Sequence, residues 1–193
     1  MNEETAWRTR LLVSLSAVAD PTARYVQFAT VTPKGRPANR TVVFRGFIDD
    51  STCLTFVTDG RSRKVSDLTA STNAAVCWYL AECREQYRFR GPVQIIESGH
   101  ADAQLVEARE AAWRQLSDKV RKQFFWPEPA SLREPAASLQ STPPPLDEPP
   151  ASFCLLVLDP ERVEHLDLRH WPHRRTFFRR TDAGEWEVQE VNP

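Results

Sequence analysis

The sequence predicts an α+β chain, an antiparallel barrel or sheet flanked by helices. Three observations carry this. Short apolar runs with strand character recur through the middle of the chain, turn residues separate them, and helical periodicity is confined to the start and to the neighbourhood of residue 110. With 193 residues, 41% hydrophobic and 26% charged, the chain has the size and composition of a single folded domain, 1–193.

Taken in order, Trp7, Leu11, Leu12, Leu15 and Val18 recur on one helical face, which predicts a helix over 3–19 that Asp20-Pro21 terminates. RYVQFATVT (24–32) alternates as a strand, PKGRP turns the chain, and NRTVVFRGFI (39–48) returns, so the pair reads as a hairpin. TCLTFVT (52–58) is a third strand after the Asp49-Asp50-Ser51 turn. Ser62 is placed to start a short helix over 62–70 whose apolar edge is Val65 and Leu68. NAAVCWYL (73–80) and EQYRFRGPVQII (85–96) are two further strands, with a bulge or bend expected at Gly91-Pro92. These strands make a core spanning 24–96. Helical spacing resumes over 102–125 through Leu105, Ala108, Ala112, Trp113, Leu116 and Val120. A proline-rich loop, 127–150, reads as extended and loosely held. FCLLVLDP, RVEHLDL, RRTFFRR and EWEVQEV then supply C-terminal strands over 152–191.

The formal net charge of −1 provides no global field for nucleic acid or anionic membrane, so any anion site must come from local clustering. No apolar run has the length of a membrane span, and the first residues lack the order of a signal peptide. Cys53, Cys77, Cys83 and Cys154 lack metal-ligand spacing; three lie in apolar runs and read as reduced core residues, which suits the cytoplasm. No metal site is expected. Nor is there a phosphate-binding glycine loop, a nucleophile elbow or a paired-histidine metal motif, and no side chain is assigned as a catalytic acid or base.

Three segments carry chemistry. In NRTVVFR, Arg40, Val42 and Phe44 share one strand face and Thr41, Val43 and Arg45 the other, so each face mixes a cation with apolar neighbours. That suits an amphipathic ligand, or equally a rim where arginine stems cover apolar surface. In TDGRSRKVSDL, the cations Arg61, Arg63 and Lys64 crowd a strand-to-helix corner. A helix starting at Ser62 would aim free N–H groups and a positive dipole end at an anion; a solvated basic turn is the plainer alternative. In REQYRFRG, the Gln86 amide can donate and accept, matching a flavin or nucleobase edge, or simply face solvent. HRRTFFRR interleaves Arg174, Arg175, Arg179 and Arg180 with Phe177 and Phe178, a pattern shared by single-strand nucleic-acid binders and barrel edges; the near-neutral charge argues against nucleic acid.

Together, FATVTPKGRPANRTVVFRGF, LTFVTDGRSRKVSDL and REQYRFRGPVQII resemble, in order and spacing, the pyridoxamine 5′-phosphate oxidase family of FMN-binding split barrels. VEHL, HRRTFFRR and the closing EVNP resemble that family's ending more loosely. The resemblance implies a six-stranded antiparallel split β-barrel that binds FMN at the interface of a homodimer. It places flavin contacts on Arg40, Thr41, Val42 and Val43, on Val57 and Thr58 at the end of the third strand, and on Gln86. It assigns the phosphate to Ser62, Arg63 and Lys64, and a contact from the second subunit to Arg175. Arg61 lies outside the motif and is read as a surface residue.

The same resemblance shows departures. Arg45 stands where the family has a substrate-binding lysine, and Trp171-Pro172-His173 where it has Arg-Leu-His. Leu166 stands in place of a tryptophan over the flavin, and the family's helical Tyr-Arg-Ser set has no counterpart in 102–126. The expectation is therefore an FMN-dependent oxidoreductase with an unnamed small-molecule substrate, the alternative being an FMN-binding sensor or carrier without pyridoxamine phosphate oxidase activity.

Overall fold

The computed structural model describes residues 6–135 and 145–193. Helix α1 (Ala6–Ser16) leads through a 3-10 turn (Pro21–Arg24) into β1 (Tyr25–Val31), β2 (Pro37–Val43), the two-residue β3 (Gly46–Phe47) and β4 (Leu54–Asp59). Helix α2 (Arg63–Ala70), β5 (Asn73–Leu80) and the long β6 (Glu85–Ile96) follow. The predicted 102–125 helix is three pieces, α3 (Ala103–Arg114), α4 (Asp118–Lys122) and a 3-10 turn (Gln123–Phe125). Ser117 at the start of α4 marks the break, with extended backbone at φ −68° and ψ 154°. The chain ends in β7 (Phe153–Leu158), β8 (Arg162–Asp167), β9 (Arg174–Arg180) and β10 (Trp186–Val191).

All strand pairings are antiparallel, and they close a ring. β1 pairs with β2 on one edge and β5 on the other, β5 with β6, β6 with β7, β7 with β4, and β4 with β3. β2 and β3 are one strand bent between two sheets: the Phe44 N–H donates to Arg24 and the Arg45 N–H to Thr55. The barrel therefore draws β7 from the C-terminal part of the chain and is not confined to 24–96. A ladder in sequence order cannot announce a closing strand roughly a hundred residues away, because long-range pairing leaves no periodic signal.

The barrel splits along β6. β7 and β8 run consecutively along one edge, β7 against Val93–Ile96 and β8 against Glu85–Arg90. At the split, β4 continues from β7 and β9 from β8. Gly91 sits at this fork, where a Cβ would lie 2.0 Å from the Asp159 carbonyl oxygen, so only glycine fits. The expected bend there is instead a close backbone approach within a continuous strand.

The barrel interior is aromatic. Phe28, Phe44, Phe56, Trp78 and Phe89 are buried, with Phe44 and Trp78 centroids 4.7 Å apart. Helix α1 seals one end by placing fully buried Trp7 against Phe47, Phe89 and Trp186. Burying each such ring stabilises the fold by about 1.5–3 kcal/mol. The face that α1 buries differs from the predicted one: Leu12 is 40% exposed, whereas Ser14 is buried and donates to Glu85 at 2.6 Å. A smaller aromatic cluster of Trp113, Leu116, Phe124 and Phe153 lies beneath α3 and α4. Of the four free cysteines only Cys154 is buried; Cys77 is half-exposed on a strand that turns one face outward, and Cys53 and Cys83 are half-exposed in the turns before β4 and β6.

Candidate functional site

The concavity that gathers most of the predicted flavin contacts, and in that sense the main one, is about 380 Å³ and lies between β2, the end of β4, α2 and the 3-10 turn after α4. Its volume is in the range of small-molecule sites, about 300–1,000 Å³. Arg40, Thr41, Val42 and Val43 form one wall, Val57, Thr58 and Lys64 a second, and Val120, Gln123, Phe124, Trp126 and Pro129 a third. Val42, Val43 and Val57 lie among three cations, Arg40, Arg45 and Lys64, so the lining is amphipathic.

Arg40 and Lys64 are held differently. Arg40 crosses under β1, donating to the Thr30 hydroxyl at 2.7 Å and to the Asp67 carboxylate of α2 at 3.3 Å. Its Nη2 is anchored to that one carboxylate, while Nη1, besides Thr30, also reaches the carbonyls of Phe28 at 3.2 Å and Ala38 at 3.4 Å. Lys64 donates to the hydroxyls of Thr58 at 2.7 Å and Ser62 at 3.1 Å, neither of which neutralises it. Burial, and then the Arg40 charge, push the Lys64 ammonium below the ordinary lysine value, against the opposing pull of Asp59. A half-buried cation with neutral hydrogen-bond partners and a cationic neighbour is stabilised by an incoming anion.

Ser62 has extended backbone at the start of α2, as predicted, but its hydroxyl makes no cap hydrogen bond. It is turned toward Thr58 at 3.2 Å and toward Lys64. Ser62 and Arg63 border a second concavity, beyond the main one, whose other side is Glu128 to Ser131. Pro129 lines both. The predicted phosphate trio is thus divided: Lys64 faces the main pocket, while Ser62 and Arg63 face its neighbour.

Arg61 is no free surface cation. Its guanidinium grips the Asp59 carboxylate at 3.0 and 2.6 Å and donates to the carbonyls of Phe124 at 3.4 Å and Trp126 at 3.1 Å. The described parts of the proline-rich loop are likewise tethered. Trp113 Nε1 donates to Pro145, and buried Arg109 donates to Pro150 and Phe153. Prolines offer carbonyls without N–H groups, so donors must come from other parts of the chain. The expectation of a loosely held loop is corrected at these points.

Gln86 and Arg175 lie elsewhere, on the outward face of the sheet made by β6, β8 and β9. Gln86 is opposite Leu166, and Leu166 opposite Arg175. Neither lines the main pocket of its own chain. Arg175 donates to Glu164 at 2.8 Å, and the same carboxylate takes Arg88 and Arg162 at 3.3 Å each. Burial alone would raise the Glu164 pKa, but the three guanidiniums outweigh it and hold it low. Beneath that face, buried Glu85 collects Ser14, Tyr87 and Arg169, and His165 stacks on Tyr87 at 4.6 Å. Burial lowers the His165 pKa, against the pull of Glu85, and Arg10 donates to its Nδ1 at 3.1 Å. Among the described residues no three His, Cys, Asp or Glu side chains are grouped as metal ligands, and no helix is long and apolar enough to cross a membrane.

With this geometry established, comparison with known proteins is informative. Residues 4–97 match the model of the pyridoxamine 5′-phosphate oxidase FMN-binding domain. Pyridoxine/pyridoxamine 5′-phosphate oxidase 2 of Arabidopsis thaliana is 38% identical over 174 residues, covering 88% of this chain and 87% of that protein. The chain belongs to the pyridoxamine 5′-phosphate oxidase family. The oxidase of Rhizobium johnstonii is 31% identical over 180 residues, covering 90% of this chain and 84% of that one. A solved oxidase-related FMN-binding protein of Nostoc punctiforme superposes with a TM-score of 0.92 at 42% identity, over 97% of this chain and 98% of that one. PhzG of Burkholderia lata shares the fold, with a TM-score of 0.79 at 20% identity. The split-barrel expectation is borne out, and FMN is the cofactor of the family domain that this chain matches.

Sequence reasoning missed the third wall of the pocket and the anchoring role of Asp67. The wall comes from a segment whose helical spacing read as one continuous helix, and only the SDK step at Ser117 hinted at the break. Asp67 sits on a short amphipathic helix, where a carboxylate reads as solvent-facing until Arg40 and Thr30 are brought across from the sheet.

Proposed function

We propose that the chain is a flavin-dependent oxidoreductase that holds FMN in the pocket between β2, β4 and α2. Support comes above all from Lys64: a half-buried ammonium beside Arg40, with only hydroxyl partners, at the position to which the sequence resemblance assigns a phosphate contact. In this reading Lys64, with Arg63 and Ser62 at the start of α2, takes the phosphate, and Arg40 and the backbone of Thr41 to Val43 with Val57 and Thr58 border the rest. FMN itself supplies the redox chemistry, by accepting and returning a hydride. The protein's part is binding, orientation and exclusion of water.

Gln86 and Arg175 fit the same reading when a second copy of the chain presents its outer sheet face to the pocket, which makes the protein a homodimer. Arg45, half-buried at the inner end of the pocket with its Nε unpaired among the described residues, is placed to meet an anionic substrate. Arg45 also borders a separate, smaller concavity against α3, where Ala108, Ala111, Ala112 and Gln115 stand with Asp49 and no second cation. That favours a substrate held by fewer charge-assisted hydrogen bonds than a phosphate ester wants, and it keeps open the second reading, an FMN-binding module without pyridoxamine phosphate oxidase activity.

The experiment is a visible spectrum and FMN titration of the purified protein, followed by an oxygen-coupled assay with pyridoxamine 5′-phosphate. A yellow dimer that turns over the amine supports the first reading. FMN binding without turnover supports the second. A protein that stays colourless in excess FMN refutes both.

A further inference from the structure

The segment Gln123–Pro129 forms the outer wall of the pocket, and two unequal anchors hold it. Phe124 is packed into the small aromatic cluster, 5.7 Å from Trp113 and 5.0 Å from Phe153, and its carbonyl also accepts from the Ser152 hydroxyl at 3.1 Å. Trp126 has no such packing. It is 39% exposed, lines the pocket, and beyond its own turn its backbone is held by Arg61 at 3.1 Å. The next residues reach Ala130, at φ 67°, a left-handed conformation that costs an alanine about 1–2 kcal/mol and persists only where the surroundings enforce it.

Arg61 is equipped for a latch. Its Nε and one amino group chelate Asp59, which fixes the guanidinium plane on the last residue of β4. The same amino group then reaches the Phe124 and Trp126 carbonyls. Asp59 is itself rigid, because its strand pairs with β7 at Phe153. A barrel strand is thus clamped to a marginally packed segment through one side chain that lies outside the phosphate motif.

We infer that Arg61 is a positioning residue that latches Trp126 over the mouth of the pocket and so sets the rate at which a bound ring enters and leaves. The latch rests on the reading of this pocket as the flavin site. A competing role for Arg61 is purely electrostatic, since it neutralises Asp59 on the pocket edge and would spare a phosphate from repulsion. The two roles differ for a ligand with no phosphate: a latch retains riboflavin and FMN alike, whereas charge neutralisation acts on FMN alone.

The test compares wild type with Arg61→Ala and Arg61→Lys in two measurements. Hydrogen exchange of the free protein reads the latch without any ligand, and stopped-flow fluorescence reads release of FMN and of riboflavin. The latch predicts faster exchange confined to residues 120–131 in Arg61→Ala. It also predicts release of both flavins accelerated about tenfold, the scale of one or two lost hydrogen bonds. Arg61→Lys should fall between, because an ammonium keeps the charge but cannot chelate Asp59 and span both carbonyls. Unchanged exchange over 120–131 overturns the latch whatever the ligand does. Faster exchange with FMN release accelerated and riboflavin release unchanged overturns it in favour of charge neutralisation. A wild-type protein that binds neither flavin overturns the gating role together with the flavin site, while the exchange experiment still decides whether Arg61 holds the segment.

Discussion

The two sides of the pocket are built by different physics. The barrel side is made of strands whose backbone groups are satisfied by their neighbours, over an interior of interlocked rings around Phe28, Phe44 and Phe56. The outer side, Gln123 to Pro129, has no ladder. It is held by one packed ring, Phe124, and by side-chain donors to its carbonyls. Elements of the first kind open only with global unfolding, whereas elements of the second kind can open locally at lower free energy. A rigid wall that places the cations and a releasable wall that controls access are what a dissociable cofactor or substrate needs.

That contrast can be broken from the rigid side first. Phe28→Ala empties a fully buried position and should cost about 3–5 kcal/mol in urea unfolding. Phe124→Ala, at the edge of the small cluster, should cost distinctly less and show its main loss in FMN retention. Equal global costs would mean that the two walls are one cooperative unit. Next, Gly91→Ala should destabilise by about 3 kcal/mol, since the new Cβ meets backbone at the fork and neither strand can yield. A variant with the wild-type unfolding midpoint would show that the fork is looser than its geometry. At the site itself, Arg63→Ala and Lys64→Ala should each weaken FMN by about 1.5–3 kcal/mol, the scale of a charge-assisted hydrogen bond. Because Ser62 and Arg63 face the neighbouring concavity, a larger effect from Lys64 than from Arg63 would place the phosphate in the main pocket, and the reverse order would place it beyond Pro129.

A smaller, pH-dependent effect sharpens the same point. The Lys64 pKa is lowered by burial and by Arg40, and a bound anion raises it again. Binding therefore takes up protons between those two values, so affinity is full below the free-protein pKa and falls as pH rises through the window. A calorimetric titration on the alkaline side, where the phosphate is already dianionic, should show this decline, and Lys64→Met should lack it. Identical alkaline profiles for the two proteins would remove Lys64 from the site.

Local patterns were legible in the sequence, and partnerships between distant segments were not. The boundaries of β5 and β6 follow from alternation, and the start of α2 from a serine at its N-terminal border, although the Ser62 hydroxyl caps no N–H; both signals are local. The pocket residues from Arg40 to Val43 with Val57, Thr58 and Lys64 were found through motif resemblance, and they converge. The same resemblance assigned Gln86 to the flavin and Arg175 to the flavin of a second subunit; the fold turns both to the outer face, and alternation along β6 and β9 sets the face of each residue but not what covers it. Arg61 is exposed, as read, but its grip on the segment after α4 was not legible, because its partners, the carbonyls of Phe124 and Trp126, lie more than sixty positions away and carry no side-chain signature.

The most direct measurement compares the affinities of FMN and riboflavin for the wild-type protein and for Lys64→Ala. The two ligands differ only in the phosphate, so their affinity ratio isolates its contribution. The account predicts that wild type prefers FMN by about tenfold or more, the effect of about 1.4 kcal/mol. Lys64→Ala should lose most of that preference while keeping its affinity for riboflavin. An unchanged ratio in the variant would contradict the assignment of Lys64, and with it the placement of the phosphate in this pocket.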